Sequence, residues 1–221
     1  MEIKMGTNIL AANEAIAAEN REAFCKNGSY AVNLVSSPGS GKTTLLERTI
    51  EALKERLSMG VIEGDIATSA DADRIRQHGI PAVQINTGGG CHLDAFMVSK
   101  ALAALDLAML DLVLIENVGN LVCPAAFDLG EAAKIAIVSV TEGDDKPLKY
   151  PALFRGAEAF VINKIDLVPY TDCDVSQLRA NGLTINPKLL VFETSCRTGE
   201  GLGAWYAWLE EGARAWMKNN G

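Results

Sequence analysis

The chain has 221 residues, 48% of them hydrophobic, and a formal net charge of −8. That is enough apolar material for one large core, while the acidic balance excludes nucleic acid as the main partner, because phosphate backbones require a basic face. No stretch approaches the roughly 18 consecutive apolar residues of a membrane span, and the N-terminus (MEIKMGTN) lacks the apolar segment of a signal peptide, so the expected setting is cytoplasmic and without a membrane. Five cysteines in a chain of this kind argue for metal ligation rather than a disulfide framework.

An amphipathic helix is expected over residues 7–26, ended by Gly28. Tyr30–Ser36 (YAVNLVS) then reads as a buried parallel strand. The run Ser36-Ser37-Pro38-Gly39-Ser40-Gly41-Lys42-Thr43-Thr44 leads from it into helical apolar spacing over 45–57. Between a strand and a helix, such a run reads as a P-loop. Gly39 and Gly41 permit backbone angles that aim successive N–H groups inward at a helix N-terminus, where a polyphosphate is held. Pro38, Ser40 and Thr44 belong to the same nucleotide-binding loop, Lys42 reaches the β- and γ-phosphates, and the Thr43 hydroxyl holds Mg²⁺. Ser36 stands where the consensus has its first glycine, which leaves Pro38 and Gly39 to make the turn.

Further strands are expected over Met59–Asp65, 82–85 and 110–116, with a helix over 93–105. Asp65 and Glu116 end two of these strands, at the edge where open α/β sheets bind ligands. Glu116-Asn117-Val118-Gly119 has the layout of a D-x-x-G switch with Glu for Asp. Glu116 can then bind Mg²⁺ through water while the Gly119 amide reaches the γ-phosphate. Asp65 is a second candidate for Mg²⁺ or for orienting the attacking water, so Lys42, Asp65 and Glu116 are the catalytic candidates. The residue after Gly119 is Asn120, shorter than the usual water-orienting glutamine.

Gly88-Gly89-Gly90-Cys91-His92 forms a loop entering a helix, and Cys123 follows the switch segment. Thiolate and imidazole together suit Zn²⁺ or Ni²⁺. Three ligands from one chain leave a fourth position open, or two chains pool their ligands at a symmetric interface. Because Cys123 is covalently close to a segment expected to move with the γ-phosphate, metal affinity and nucleotide state have a physical route of coupling.

Strands over 135–141, Ala159–Asn163 and 189–194 complete an α/β pattern that suits a doubly wound, mostly parallel sheet in one domain, residues 1–221. Asn163-Lys164-Ile165-Asp166 matches N-K-x-D. Guanine presents two adjacent donors that one carboxylate accepts, so Asp166 selects guanine, while Lys164 lies along the base and Asn163 ties this loop to the P-loop. Ser195-Cys196, at the end of the last strand, is similar to the backbone contact many GTPases make to the guanine carbonyl. Leu202, Trp205, Leu209 and Trp216 have helical spacing and read as core packing.

On SSPGSGKTT, EGDIATSADADRI, GGGCHLDA, ENVGNLVCP, EGDDKPLKYP and NKIDLVP, the chain closely resembles the HypB family of hydrogenase nickel-incorporation GTPases over essentially its full length. The resemblance implies a P-loop NTPase of the SIMIBI type that binds GTP and GDP with Mg²⁺ and forms a homodimer on GTP binding. It implies Ni²⁺ or Zn²⁺ at Cys91, His92 and Cys123 near the dimer interface. It also implies a metallochaperone or regulator that helps deliver nickel to the large subunit of a nickel–iron hydrogenase, with a HypA-type partner. The chain has neither an N-terminal cysteine-rich motif nor a histidine-rich tract, its histidines being His78 and His92, so the Cys/His cluster is the expected metal site. Other readings stay open at this level. A urease-type nickel GTPase should carry Cys-Pro-His where this chain has Cys-His-Leu. A P-loop kinase of a small molecule has no need of N-K-x-D, and a metal-binding module with a purely structural nucleotide would show no turnover.

Overall fold

The structure, a computed structural model, describes residues 5–65 and 74–220. Residues 66–73, inside the EGDIATSADADRI run, lie outside the described residues.

Helix α1 (Met5–Asn27) stops where Gly28 takes a left-handed φ of 68°. The turn closes with Gly28 N–H on the Cys25 carbonyl at 3.1 Å and Ser29 N–H on the Phe24 carbonyl at 3.0 Å, a glycine cap that satisfies the last carbonyls of the helix. Its buried stripe is mixed, Asn13, Ala17, Asn20 and Phe24, so the helix docks partly through amides rather than through an apolar face alone.

Seven strands follow: β1 (Tyr30–Ser36), β2 (Met59–Asp65), β3 (Ala82–Asn86), β4 (Leu112–Glu116), β5 (Ala133–Ser139), β6 (Ala159–Asn163) and β7 (Leu190–Glu193). They form one sheet in the order β3-β2-β4-β1-β5-β6-β7, and every pairing is parallel, wholly rather than mostly so. Boundaries shift from the sequence expectation where local hydrogen bonding wins. β4 begins at Leu112 because Leu107–Met109 forms a 3-10 turn, and β5 ends at Ser139 because that residue makes a capping box with Glu142. The helix expected over 93–105 is Ala95–Leu102, started by Asp94, whose carboxylate accepts from Met97 N–H at 2.8 Å. Helix α2 is Lys42–Leu53, shorter than 45–57 at its end and longer at its start.

Side chains of β1 alternate between the two faces of the sheet. Val32 and Leu34 join Leu45, Leu46 and Ile50 of α2, together with Trp205 and Leu209 of the last helix (Leu202–Asn220). Ala31 packs with Phe24, Leu93 and Val113, and Val35 with Ala136, Val138 and Phe154. Asn33 is the polar exception at the strand's centre and is fully buried. Trp205 is also fully buried, stacks on Trp208 at 5.5 Å and donates Nε1–H to Thr49 Oγ1 at 2.9 Å, which makes it a core residue as expected. Because β1 lies between β4 and β5, the strand order reverses there and a crevice opens beyond the strand carboxyl ends. No helix among the described residues is long and apolar enough to cross a membrane.

Candidate nucleotide and metal sites

The P-loop is shaped by two left-handed glycines, Gly39 at φ 76° and Gly41 at φ 96°, and Gly41 sits immediately before α2. A Cβ on Gly41 would lie 2.6 Å from Asn163 Nδ2, so both conformation and contact require glycine there. Ser36 turns out to be more than a substitute for a missing glycine. Its buried hydroxyl donates to the Ser37 carbonyl at 2.7 Å and accepts from Lys42 Nζ at 2.8 Å and from the Ser40 hydroxyl, holding the Lys42 ammonium inside the loop. The Thr43 hydroxyl donates to Glu116 Oε1 at 2.9 Å across the β1–β4 boundary. Gly119 lies against the loop so closely that a Cβ there would meet three Pro38 atoms at 3.0 Å.

These residues surround a cavity of about 490 Å³ whose walls also include Thr44, Asp65 and Lys164. A second cavity of about 280 Å³, lined by Asn163, Asp166, Cys196 and Arg197, shares Gly41, Thr44 and Lys164 with the first, so the two are neighbours. Asn163 Nδ2 donates to the Ser40 carbonyl at 2.9 Å and Lys164 Nζ to the Gly39 carbonyl at 2.6 Å. The expected tie between N-K-x-D and the P-loop is thus made by two side chains. Lys164 reaches its place with a left-handed φ of 63°. Asp166 accepts from the Ser195 hydroxyl at 2.6 Å, which orients the carboxylate, while the Ser195 amide donates to the Glu200 carbonyl at 3.0 Å. Ser195 therefore works on Asp166 through its hydroxyl rather than offering its own amide. The Cys196 thiol is pushed up to about 11, mainly by burial, and stays neutral while donating to Asn163 Oδ1 at 3.4 Å.

Oxygen donors from Thr43 and Glu116 only 2.9 Å apart, with Asp65 on the same cavity wall, form a hard-ligand set that fits Mg²⁺.

Cys91, His92 and Cys123 meet although the cysteines are 32 residues apart. Their ligand atoms all lie within 4.8 Å of one another, with the two sulfurs 3.0 Å apart and Cys91 Sγ 3.7 Å from His92 Nδ1. All five cysteines are free thiols. Gly88 at φ 60° and Gly89 at φ 98° make the turn that presents Cys91 to solvent. The hydrogen bond with Cys123 holds the Cys91 thiol above the ordinary thiol range. Burial holds the His92 imidazole below its usual value, so its lone pair is available at neutral pH. Phe127 packs against that imidazole, tilted by 33°, at 3.9 Å between ring centroids. Two thiols and a neutral imidazole on a half-open surface suit a soft to borderline divalent ion.

Several residues of the site were not singled out by sequence reasoning. Glu63 pairs with Glu116 in the β2–β4 ladder, is almost fully buried and lines the phosphate cavity, and its signal was a charge within an apolar strand. Arg74 lines the same cavity and makes a two-pronged contact with Glu47 at 2.6 and 3.0 Å. Arg197 lines the base cavity. Asn33, Asn117 and Asn120 carry the polar links between segments, and nothing in their sequence neighbourhoods announces it.

The sequence profile of the CobW/HypB/UreG nucleotide-binding domain matches residues 30–193. The hydrogenase maturation factor HypB of Rhizobium leguminosarum bv. viciae is 57% identical over 211 residues, covering 96% of this chain and 71% of that protein. The crystal structure of the hydrogenase maturation factor HypB from Archaeoglobus fulgidus superposes with a TM-score of 0.87 at 44% identity, covering 92% of this chain and 99% of the other. HypB from Helicobacter pylori, solved in complex with nickel, gives a TM-score of 0.88 at 42% identity, covering 95% and 97%. A LAO/AO transport system kinase, at 19% identity and a TM-score of 0.56 over 96% of this chain and 72% of its own, shares the fold alone.

Proposed function

This chain belongs to the HypB hydrogenase maturation factors of the CobW/HypB/UreG nucleotide-binding family, and from that premise we propose that it is a Mg²⁺-dependent GTPase. Its hydrolytic cycle governs nickel held at Cys91, His92 and Cys123 for insertion into the large subunit of a nickel–iron hydrogenase. Nucleotide hydrolysis comes with membership of this P-loop family; guanine specificity, the metal requirement and the partners are our reading.

The observation that carries it is the pair of hydrogen bonds joining the base-reading loop to the phosphate loop, Asn163 to Ser40 and Lys164 to Gly39. They join two neighbouring cavities, one lined by Lys42 and the other by Asp166, that share Gly41, Thr44 and Lys164. Asp166 accepts the paired donors of guanine, oriented by Ser195. Lys42 leaves the Ser36 hydroxyl for the β- and γ-phosphates; Thr43 and Glu116 would hold Mg²⁺, which would supply positive charge to those phosphates. The Gly119 amide, against Pro38, adjoins the γ-phosphate, and Asp65 serves the metal's water shell or the attacking water.

The nickel carried by the H. pylori relative supports nickel as the cargo here. A fourth ligand is supplied by water, by a second copy on GTP binding, or by a HypA-type chaperone, all in the cytoplasm. Phosphate release from purified full-length chain with Mg²⁺ and GTP or ATP tests the assignment. Turnover of GTP well above ATP supports it, equal turnover removes the guanine reading, and no turnover leaves a static nucleotide-binding module.

A further inference from the structure

A buried row of polar side chains joins the switch to the metal loop, and its direction is set unambiguously. Glu131 accepts at both oxygens, from Asn33 Nδ2 at 3.1 Å and from Leu129 N–H at 2.7 Å, with Lys134 Nζ 3.5 Å away. Asn33 must therefore turn its amide oxygen the other way, where it accepts from Asn117 Nδ2 at 3.2 Å. The Asn117 oxygen is left facing two backbone donors, Leu93 N–H at 3.1 Å and Val118 N–H at 3.0 Å. An acceptor-only carboxylate at one end and donor-only amides at the other exclude a flip of either asparagine.

Leu93 N–H belongs to the peptide directly after His92, and Val118 N–H lies in the switch between Glu116 and Gly119. Leu93 is 0% exposed, so its amide cannot exchange the Asn117 oxygen for water, and Asn117 itself is 1% exposed. The Asn117 main-chain N–H is itself fixed to the Leu34 carbonyl at 3.0 Å, two residues before the P-loop serine Ser36. Nearer the surface, Asn120 Nδ2 donates to the Cys91 carbonyl at 3.1 Å while its oxygen accepts from Val122 N–H at 2.9 Å, beside Cys123.

We propose that Asn117, seconded by Asn120, is the positioning residue that transmits nucleotide state to the metal site. If the switch backbone moves toward a γ-phosphate, the shared oxygen of Asn117 must release Val118 or pull Leu93. A buried unpaired amide is unfavourable, so the two segments move together. The His92 imidazole and the Cys91 sulfur, one peptide away from these bonds, are reoriented relative to Cys123. Asn117 borders the phosphate cavity, but in this role it acts through the backbone it holds. The inference rests on the GTP and nickel reading above.

The test is nickel affinity, by competition with a chelator at fixed pH, in the GDP and non-hydrolysable GTP-analogue states of full-length chain. The unmodified chain should show at least about a fivefold difference between the two states, the lower end of ordinary allosteric coupling. Asn117→Ala should bring that ratio to within twofold of unity, while a merely structural role would change both affinities alike and keep the ratio. Asn117→Ser, whose side chain is too short to bridge Val118 and Leu93, gives the same comparison if the alanine variant does not fold, and Asn120→Ala should reduce the ratio partway. A ratio retained in all three variants overturns the proposal and leaves the nickel GTPase reading standing. A ratio of one in the unmodified chain removes the coupling and overturns the proposal, while the turnover of GTP against ATP decides the nickel GTPase reading separately.

Discussion

Thr43 Oγ1 and Glu116 Oε1 are 2.9 Å apart although they sit on α2 and at the end of β4. Two oxygens so placed can bind one Mg²⁺ between them without rebuilding the loop. Glu116→Gln keeps the shape but removes the charge, and it should lower GTP turnover by about 100-fold or more, as for other losses of a single group that stabilises developing charge. Lys42→Ala should do at least as much. Phosphate release at saturating GTP measures both, and near-normal turnover in either would mean that the phosphate end has been wrongly assigned.

Asp166→Asn should lower GTP affinity by about 100-fold, the scale of losing hydrogen bonds to a charged acceptor. The amide can donate to the 2-oxo group of xanthine, so XTP affinity should rise at the same time. Ser195→Ala removes only the group that orients Asp166 and should weaken GTP binding much less. Titration with fluorescent nucleotide analogues distinguishes these outcomes; unchanged GTP affinity in Asp166→Asn would show that the base is read elsewhere.

At the metal site, Cys123→Ala should weaken nickel binding while GTP binding persists. Affinity should fall as pH is lowered. The Cys91 thiol is held above its ordinary value by Cys123 and must lose its proton to ligate, so the metal competes with that proton. Burial shifts His92 the other way, which lessens its competition with protons. Each thiol proton displaced contributes up to about tenfold in affinity per pH unit. A nickel titration flat between pH 6 and 8 would contradict thiolate ligation.

Stability has a separate lever in the last helix. Trp205 is fully buried against Phe192 and Trp208, and its indole N–H is bonded to Thr49 on α2. Trp205→Ala should cost about 3–5 kcal/mol in equilibrium unfolding by urea. Nucleotide preference should not change in the folded fraction, and a change would assign this tryptophan a part in the site.

The amino-acid sequence alone determined what depends on a few consecutive residues. Gly39 and Gly41 admit left-handed backbone angles, so SSPGSGKTT reads as a phosphate loop wherever it lies. The apolar run Tyr30–Ser36 makes a buried strand by composition. Asp166 and the Cys-His pair were legible in the same way, by the chemistry of their side chains. The tertiary structure decided what depends on strand order. β4 is inserted between β2 and β1, which carries Glu116 to Thr43, Cys123 to Cys91, and Asn117 into reach of both Asn33 and Leu93. A buried asparagine has no sequence period that marks it as a link, because partners such as the Asn33 side chain and the Leu93 amide lie far from Asn117 in the sequence. Lateral packing brings them together, and no local pattern encodes that packing.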